Sequence, residues 1–259
     1  MSSILFKIEN NIGWITLNRP EVFNSFNREM ALLLQNILDD CANDSNVRAI
    51  VITGSGKAFC AGQDLKEVTT PELNPGFRKI LEKHYNPIIT KIRNIEKPII
   101  AAVNGVAAGA GANIALACDI VVTTEHASFI QAFSKIGLIP DSAGTFFLPR
   151  LIGFQKATAL MMLGDKVSAQ EAYNLGMIYK IFPLAFFEEE VRTLATTLAN
   201  MPTKALGLTK RLLNQSMNNN LEQQLALESD LQIEASSSND YNEGVTAFVE
   251  KRKPEFKGN

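Results

Sequence analysis

Apolar and polar residues alternate along the first sixty positions in the way expected of short strands around one amphipathic helix. Alternation at every second residue predicts strands, and apolar residues three or four positions apart predict a helix. The predicted elements are strands at 4–9 and 12–17, a helix near 28–42 and a strand at 49–53. A strand, a helix and a further strand in this order predict a parallel crossover within an α/β fold.

The strand pattern continues to about residue 130 and then gives way to helical spacing. The further extended segments are predicted at 98–103, at 120–124 and in a short piece from Phe129. Helices are predicted after Pro149 at 154–163, 168–175, 184–200, 203–217 and 221–235. Ser168 followed by Glu171 fits a capping box at the start of the second of these helices. No internal repeat is evident in the sequence.

The stretch from Pro98 to Asp119, PIIAAVNGVAAGAGANIALACD, is the most informative part of the chain. Eleven of the nineteen residues from Ala101 to Asp119 are Ala or Gly, so other atoms can approach its backbone closely. The segment 113–118 is predicted to start a tightly packed helix. A strand, a turn and a helix start leave N–H groups without partners and predict an anion or oxyanion site. A closely packed strand and helix with no special role is the alternative. A membrane span is disfavoured because Asn104 and Asn113 interrupt the apolar run.

A second turn of small residues, TGSGKAFCAGQDL at 53–65, also follows a predicted strand. It lacks the glycine spacing, and the hydroxyl after Gly56-Lys57, that a phosphate-binding loop requires. The two turns could each direct one backbone N–H at a single carbonyl oxygen. That arrangement is an oxyanion hole, which stabilises the negative charge that develops on an acyl oxygen.

Composition narrows the class of protein. The 259 residues are 46% apolar, enough to bury a substantial core. The chain has 25 basic and 27 acidic residues, so no nucleic acid or membrane partner is expected from bulk charge. Cys41, Cys60 and Cys118 are widely spaced, which predicts reduced thiols and no metal site. The first residues lack a secretory signal, so we expect a cytoplasmic protein. The basic run at 251–253 is interpreted as solvated surface, with contact to an anionic ligand as the alternative.

Several segments resemble the enoyl-CoA hydratase/isomerase (crotonase) superfamily. They are NRPEVFNSFN (18–27), AFCAGQDL (58–65), KPIIAAVNGVAAGAGANIALACDI (97–120), KIGLIPDSAGT (135–145) and EGVTAFVEKRKPEF (243–256). The resemblance implies an α/β fold of crotonase type, with a spiral of ββα repeats over residues 1–195 and a C-terminal helical trimerisation region over 196–259. It also implies a homotrimer or a dimer of trimers that binds an acyl-CoA thioester.

The same resemblance implies particular site residues. The amides of Ala61 and Ala110 would form the oxyanion hole, while Gln63, Asp64 and Leu65 would line the pocket for the CoA adenine. Coenzyme A is part of the substrate, so no separate cofactor or metal is implied.

Two departures from the family pattern change the expected reaction. Typical hydratases carry glutamates where this chain has Asn113 and Phe133. Hydration needs carboxylates that deprotonate water and handle the α-proton, and neither an amide nor a phenyl ring exchanges protons near neutral pH. Asp141 in IPDSAGT remains, and one carboxylate can move one proton between two carbons. From spacing alone, Asp141 as the N-cap of the next helix is the alternative.

The residues around Asp141 look like the phenylacetate-pathway branch of the family, which rearranges 2-(1,2-epoxy-1,2-dihydrophenyl)acetyl-CoA to an oxepin thioester. An isomerase of that kind is our first hypothesis, and a straight-chain 3-enoyl-CoA to 2-enoyl-CoA isomerase is the second. An enoyl-CoA hydratase is the third, and a non-catalytic crotonase-fold binding protein is the rival from another class. Asn113 would either pack or steer the substrate, and Phe133 would line an acyl pocket or the core. His84 and His126 are expected on the surface or in loops.

Overall fold

The fold begins with a β-hairpin at the edge of a sheet. The structure is a computed structural model and describes residues 2–259. β1 (Ile4–Glu9) and β2 (Ile12–Leu17) pair antiparallel and confirm the two predicted strands. The turn residues Asn10 and Asn11 have φ values of 53° and 61°. A tight hairpin turn requires these left-handed values, and asparagine tolerates them.

Six strands form the larger sheet, in the order β1-β2-β3-β5-β7-β10. From β2 onward the neighbouring strands are parallel. The helix α1 (Arg28–Asn43) makes the predicted crossover between β2 and β3, and its N-cap Asn27 accepts a hydrogen bond from the Met30 N–H. The remaining strands of this sheet are β3 (Ala49–Gly54), β5 (Ile99–Val103), β7 (Ile120–Thr124) and β10 (Lys180–Phe182).

A smaller sheet of four short strands, in the order β4-β6-β8-β9, lies beside the larger one. Its strands are β4 (Ala58–Cys60), β6 (Val106–Ala108), β8 (Ser128–Ile130) and β9 (Lys166–Ser168). Each of β3, β5 and β7 is followed directly by a strand of the smaller sheet and then by helical structure. This repeated ββα order is the spiral that the family resemblance implies, although no repeat is visible in the sequence.

Helices cover the sheets and form the C-terminal part. Short 3₁₀ segments lie at Pro20–Val22, Ala132–Ile136 and Leu184–Phe186, and a π-helical segment lies at Ile80–Tyr85. The α-helices after α1 are α2 (Leu65–Thr69), α3 (Phe77–Lys79), α4 (Asn86–Asn94), α5 (Ala110–Ala117), α6 (Gly144–Ile152), α7 (Phe154–Leu163), α8 (Ala169–Asn174), α9 (Phe187–Ala199), α10 (Thr203–Ser216), α11 (Leu221–Ser236) and α12 (Asn239–Glu250).

The larger sheet is buried on both faces. Ile50 and Ile52 of β3 pack into the main core with α1, α4 and α5, while Ala49 and Val51 face a second cluster that α9 covers. A parallel strand buried on both sides reads as a continuous apolar run, as AIVIT does here.

The structure differs from the predicted elements in three places. The half after Pro149 is not purely helical, because β9 and β10 return to the two sheets. Residues 65–94 hold helices that the sequence did not predict. The helix predicted from Asn113 begins one turn earlier, at Ala110. The Ser168 cap is confirmed, since its side chain accepts a hydrogen bond from the Glu171 N–H.

The predicted boundary after residue 195 falls inside α9. Ala195 and Ala199 are both buried against the larger sheet, so α9 still packs on the first predicted part of the chain beyond that boundary. Arg48 joins the two parts: its guanidinium donates to the carbonyl oxygens of Met201 and Phe256 at 2.7 and 2.8 Å.

Candidate active site

The two turns of small residues meet, as the sequence predicts. Gly62, after β4, has a φ of 94° and lies against the turn that starts α5. A Cβ on Gly62 would lie 3.1 Å from the Ala108 oxygen and 3.4 Å from the Ala110 nitrogen. Only glycine combines this backbone conformation with so close an approach. The turn at 60–63 is thereby fixed against the first turn of α5.

The start of α5 supplies free N–H groups. The amides of Ala110, Gly111 and Ala112 have no acceptor among residues 2–259, because they are the first N–H groups of the helix. Gly109 precedes them with a φ of 51°, and its own N–H donates to the Ile130 oxygen at 2.9 Å. The Ala110 amide is therefore available to a ligand, and its role in an oxyanion hole stays a prediction.

The expectation for Ala61 is wrong. Its N–H already donates to the Phe23 oxygen at 3.0 Å, so it is not free for an acyl oxygen. Gln63 forms a parallel bridge with Phe26: Phe26 donates to Gly62 O at 2.7 Å and Asp64 donates to Phe26 O at 2.8 Å. In such a bridge the amide of the central residue points away from the paired segment. The Gln63 N–H has no acceptor among residues 2–259 and is the free donor of this turn.

The side chains expected near the CoA adenine have mixed environments. Gln63 donates to Glu67 at 2.8 Å and accepts from the Tyr85 hydroxyl at 3.0 Å, so its side chain is held inside the protein. Asp64 caps α2 through the Lys66 N–H and forms an ion pair with Arg19 at 2.7 Å. Leu65 is 58% exposed and can contact a ligand at the surface.

Asp141 lies in a strained loop just before α6. Ser142 and Ala143 both adopt left-handed backbone conformations, with φ values of 50° and 58°. Helix α6 begins at Gly144 with Ala143 as its cap residue and no side-chain cap, so the alternative of Asp141 as a plain N-cap is wrong. The Asp141 carboxylate instead accepts a hydrogen bond from the Ser142 hydroxyl at 2.8 Å. Burial raises the pKa of the Asp141 carboxyl, and the Ser142 bond opposes that rise.

Asn113 is fully buried and bonded at both ends of its amide. It donates to the Asp141 carbonyl oxygen at 2.8 Å and accepts from Gln131 at 2.8 Å. Both ends of the Asn113 amide are thus bonded within the protein, and a role for Asn113 in binding the substrate stays a prediction. Because Ala110 and Asn113 are three residues apart on one helix, this bond also ties the Asp141 loop to the face that carries the free amides.

Phe133 is buried beside the oxyanion turn. A Cβ on Gly109 would lie 3.8 Å from the Phe133 ring, so an apolar side chain borders the α5 amides where a hydratase has a carboxylate. Phe147 packs into the main core, and Phe146 contacts it edge to face with the ring centroids 5.1 Å apart.

Sequence reasoning missed Tyr85, which lies in the π-helical segment and is almost fully buried. Burial raises the pKa of the Tyr85 hydroxyl well above its usual value, and the nearby Cys60 and Asp141 add to the rise. Tyr85 therefore stays protonated while it donates to Gln63. A π-turn often marks a functional site, but no residue pattern in the sequence announces one.

The other titratable groups offer no competing chemistry. Burial raises the pKa of Cys60 to about 12, so this thiol is not a nucleophile at neutral pH. His84 is buried, which corrects the expectation of an exposed histidine, and burial lowers its pKa. His126 is exposed, as expected. Among residues 2–259 no group of three or more His, Cys, Asp or Glu is arranged to hold a metal ion.

Comparison with known proteins identifies the family. The family model described as enoyl-CoA hydratase/isomerase matches residues 7–259. The chain belongs to the enoyl-CoA hydratase/isomerase family. Its fold is the predicted crotonase fold: an enoyl-CoA hydratase from Bacillus anthracis superposes with a TM-score of 0.92 and 33% identity, over 99% of this chain and 100% of the other.

Some similar proteins in this family are described as isomerases and others as hydratases. The chain is 44% identical to the 1,2-epoxyphenylacetyl-CoA isomerase of Escherichia coli strain K12. The alignment covers 100% of this chain and 99% of that protein. It is 43% identical, over 99% of its length and 98% of the relative, to a Rhodobacter capsulatus protein described as a probable enoyl-CoA hydratase. The chain is thus an enzyme of this family, and its reaction must be argued from the site. No helix within residues 2–259 is long and apolar enough to cross a membrane.

Proposed function

We propose that this protein is an acyl-CoA isomerase that uses Asp141 as its single acid and base. The observation that carries the proposal is the pairing of Asp141 with Asn113. The loop that carries the Asp141 carboxylate is hydrogen-bonded to the first turn of α5. The donor is the side-chain amide of Asn113, which cannot exchange protons near neutral pH. Phe133, at the second position where hydratases carry a glutamate, is equally unable to activate water.

The proposed reaction begins when the thioester oxygen accepts hydrogen bonds from the Gln63 and Ala110 amides. These donors stabilise negative charge on that oxygen, and losing one typically costs about 3 kcal/mol of transition-state stabilisation. The Asp141 carboxylate removes a proton from the carbon next to the carbonyl and leaves a dienolate. The protonated Asp141 then returns the proton to a carbon further along the chain. No water is consumed, and the double bond changes place. With the ring-epoxidised substrate, the carbon–carbon bond between the two epoxide carbons also breaks, so that the six-membered ring expands to the oxepin.

We propose the ring-epoxidised phenylacetyl-CoA as the first candidate substrate. The 44% identity to the Escherichia coli isomerase over the whole chain supports it, as does the apolar border that Phe133 gives the oxyanion turn. A straight-chain 3-enoyl-CoA is the second candidate because it needs the same proton transfer. Hydration has support only from the names of relatives. Proton transfer of this kind needs no separate metal or redox cofactor.

The test follows three reactions with purified wild-type protein: loss of the ring epoxide, conjugation of a 3-enoyl-CoA and hydration of a 2-enoyl-CoA. Asp141→Asn should lower isomerisation by about 10²- to 10⁴-fold while binding of the thioester is kept. Asp165→Asn, at an exposed position after α7, is the matched control and should behave as wild type. Hydration that survives Asp141→Asn would refute the single-acid reaction. Normal CoA binding without turnover by the wild type would favour a non-catalytic binding protein.

We also propose that the protein assembles as a homotrimer or a dimer of trimers, in the cytoplasm. Apolar side chains on the C-terminal helices support the assembly, since Ile233, Phe248 and Val249 are 70%, 85% and 73% exposed. Sedimentation equilibrium should return three or six times the 28.4 kDa mass of one chain. A monomer at micromolar concentration would contradict this proposal and leave the reaction untouched.

A further inference from the structure

We infer that Asn113 and Gln131 are positioning residues that hold the Asp141 carboxylate in place without touching the substrate. The inference rests on the proposed role of Asp141. Three segments meet here: the first turn of α5, the residue after β8 and the loop before α6. Gln131 Nε2 donates to Asn113 Oδ1 at 2.8 Å, and Asn113 Nδ2 donates to the Asp141 carbonyl oxygen at 2.8 Å.

Gln131 and the Asp141 carbonyl oxygen together fix which way the Asn113 amide faces. If the amide were flipped, its oxygen would lie against the Asp141 carbonyl oxygen and its nitrogen against the Gln131 nitrogen. Both contacts would then join like groups. With the observed order, every hydrogen bond runs in one direction, from Gln131 through Asn113 to Asp141. Both amides are at least 97% buried, so water does not compete for these bonds.

The Asp141 loop needs such an anchor. Ser142 and Ala143 are L-residues in left-handed conformations, which are unfavourable for residues other than glycine. Without a restraint the loop could relax, and the carboxylate would move with it. The Asp141 carbonyl oxygen is the fixed point, since it accepts from Asn113 and also from the Gly144 N–H at 2.9 Å.

Close packing adds to this restraint. A Cβ on Gly144 would lie 2.3 Å from Asn113 Nδ2, so the start of α6 rests directly on the Asn113 amide. A shift of Asn113 therefore moves both the Asp141 carbonyl and the first residue of α6.

Gln131 carries an energetic cost. Its Oε1 is buried and has no hydrogen-bond partner among residues 2–259, which is unfavourable for folding. An apolar side chain of similar length would avoid this penalty. The bond that Nε2 makes to Asn113 is what such a side chain would lose.

Two substitutions test the inference in the isomerase assay. Gln131→Met keeps the length of the side chain and removes the donor, and we expect kcat to fall about 10- to 100-fold with KM nearly unchanged. Asn113→Asp keeps the shape, removes the donor and adds a negative charge next to Asp141. The acid limb of its kcat–pH profile should move to higher pH, because a like charge disfavours ionisation of Asp141.

The controls make the same two chemical changes, Asn→Asp and Gln→Met, at positions away from Asp141. Asn214→Asp alters an asparagine that bonds to Arg93, and Gln170→Met alters an exposed glutamine on α8. Both should keep the wild-type kcat and pH profile. If Asn113→Asp does not fold, as judged by circular dichroism, Gln131→Met still decides the question.

The outcomes separate this inference from the proposed function. Unchanged activity in Asp141→Asn would refute the proposed function and the inference with it. Loss of activity in Asp141→Asn, combined with wild-type kcat and an unmoved acid limb in the folded Gln131 and Asn113 variants, would overturn the inference alone. A merely structural role would lower the melting temperature of these variants and leave kcat and the pH profile unchanged.

Discussion

Substitution of Gly111 tests most sharply whether the distance between the turn after β4 and the start of α5 controls the rate of the proposed isomerisation. It is the second residue of α5 and packs against the end of β4. A Cβ added there would lie 2.3 Å from the Cys60 carbonyl oxygen and 2.7 Å from both the Cβ and the Sγ of Cys60. The nearest obstacle is backbone, so a change of side-chain rotamer cannot relieve the clash.

The size of the displacement follows from these distances. Ordinary contact begins at 3.4 Å, so Gly111→Ala must move α5 away from β4 by about 1 Å. The Ala110 amide moves with α5, while the Gln63 amide stays with the turn after β4. A displacement of about 1 Å can cost about 10²-fold in rate, and losing an oxyanion donor outright costs about 10²- to 10³-fold. We therefore expect kcat to fall about 10²-fold, with a stability loss of about 1–3 kcal/mol from overpacking.

The assay compares Gly111→Ala with Gly244→Ala in turnover of the thioester that the wild type isomerises. Gly244 is also a helical glycine, but its Cβ would meet the Phe256 ring at an ordinary 3.4 Å, so that variant should keep full activity and become slightly more stable. Urea unfolding and circular dichroism establish that both variants are folded at the assay temperature. A folded Gly111→Ala variant with the wild-type kcat would refute the assignment of the two amides to one oxygen.

Three further predictions concern stability and reactivity. Because burial raises the pKa of Asp141, its ionised form opposes folding at neutral pH, so Asp141→Asn should melt at a higher temperature than wild type at about pH 7. The difference in melting temperature should narrow as the pH falls through the raised pKa of Asp141, because the protonated carboxyl no longer opposes folding; a difference that widens would contradict the assignment. Asn24→Ala should cost about 3 kcal/mol in urea unfolding, since buried Asn24 bonds to the backbone of Arg19, Ser55 and Ala58; a loss below about 1 kcal/mol would be inconsistent with those bonds. Burial raises the pKa of all three thiols to about 12, so Ellman's reagent should modify none in the native protein at about pH 8 and all three after denaturation, and rapid native labelling would show that they are accessible.

Periodicity predicted the long elements because each buries one continuous face. The strands from β1 to β3 and the helix α1 agree with the sequence to within a residue or two. The strands β9 and β10 are three residues long, and their pairing partners β8 and β7 lie far away in the sequence. Alternation over three residues carries no usable signal, so only the assembled sheets reveal them.

The region from 77 to 94 shows a different failure. Its buried Ile80, Ile88 and Ile92 carry a helical spacing. The π-turn at 80–85 and Pro87 interrupt the period of 3.6 residues, so the pattern does not read as one helix. Because this region was not predicted as a helix, the burial of Tyr85 and His84 was not predicted either.

The sequence predicted that the two turns of the candidate site meet, but not which amide is free at one of them. Ala110 follows from the order of strand, turn and helix, because the first amides of a helix are free whatever the surroundings. At the other turn, the free amide depends on which neighbour pairs with the chain. Phe26 pairs with Gln63, and the Phe23 oxygen accepts from the Ala61 N–H, so the free amide of this turn lies two residues later than the one expected. Such pairing is long-range and leaves no local mark in the sequence.

The properties of Asp141 connect the proposed chemistry to the energetics of the fold. A general base works best when its pKa approaches the working pH, and burial moves the Asp141 carboxyl in that direction. The same burial makes its ionised form unfavourable for folding, and the loop that carries it contains two L-residues at positive φ. A second carboxylate at position 113 would repel the first and could not donate to its backbone. The neutral Asn113 avoids the repulsion and supplies the donor, so an amide at position 113 fits the proposed one-proton isomerisation better than it fits hydration.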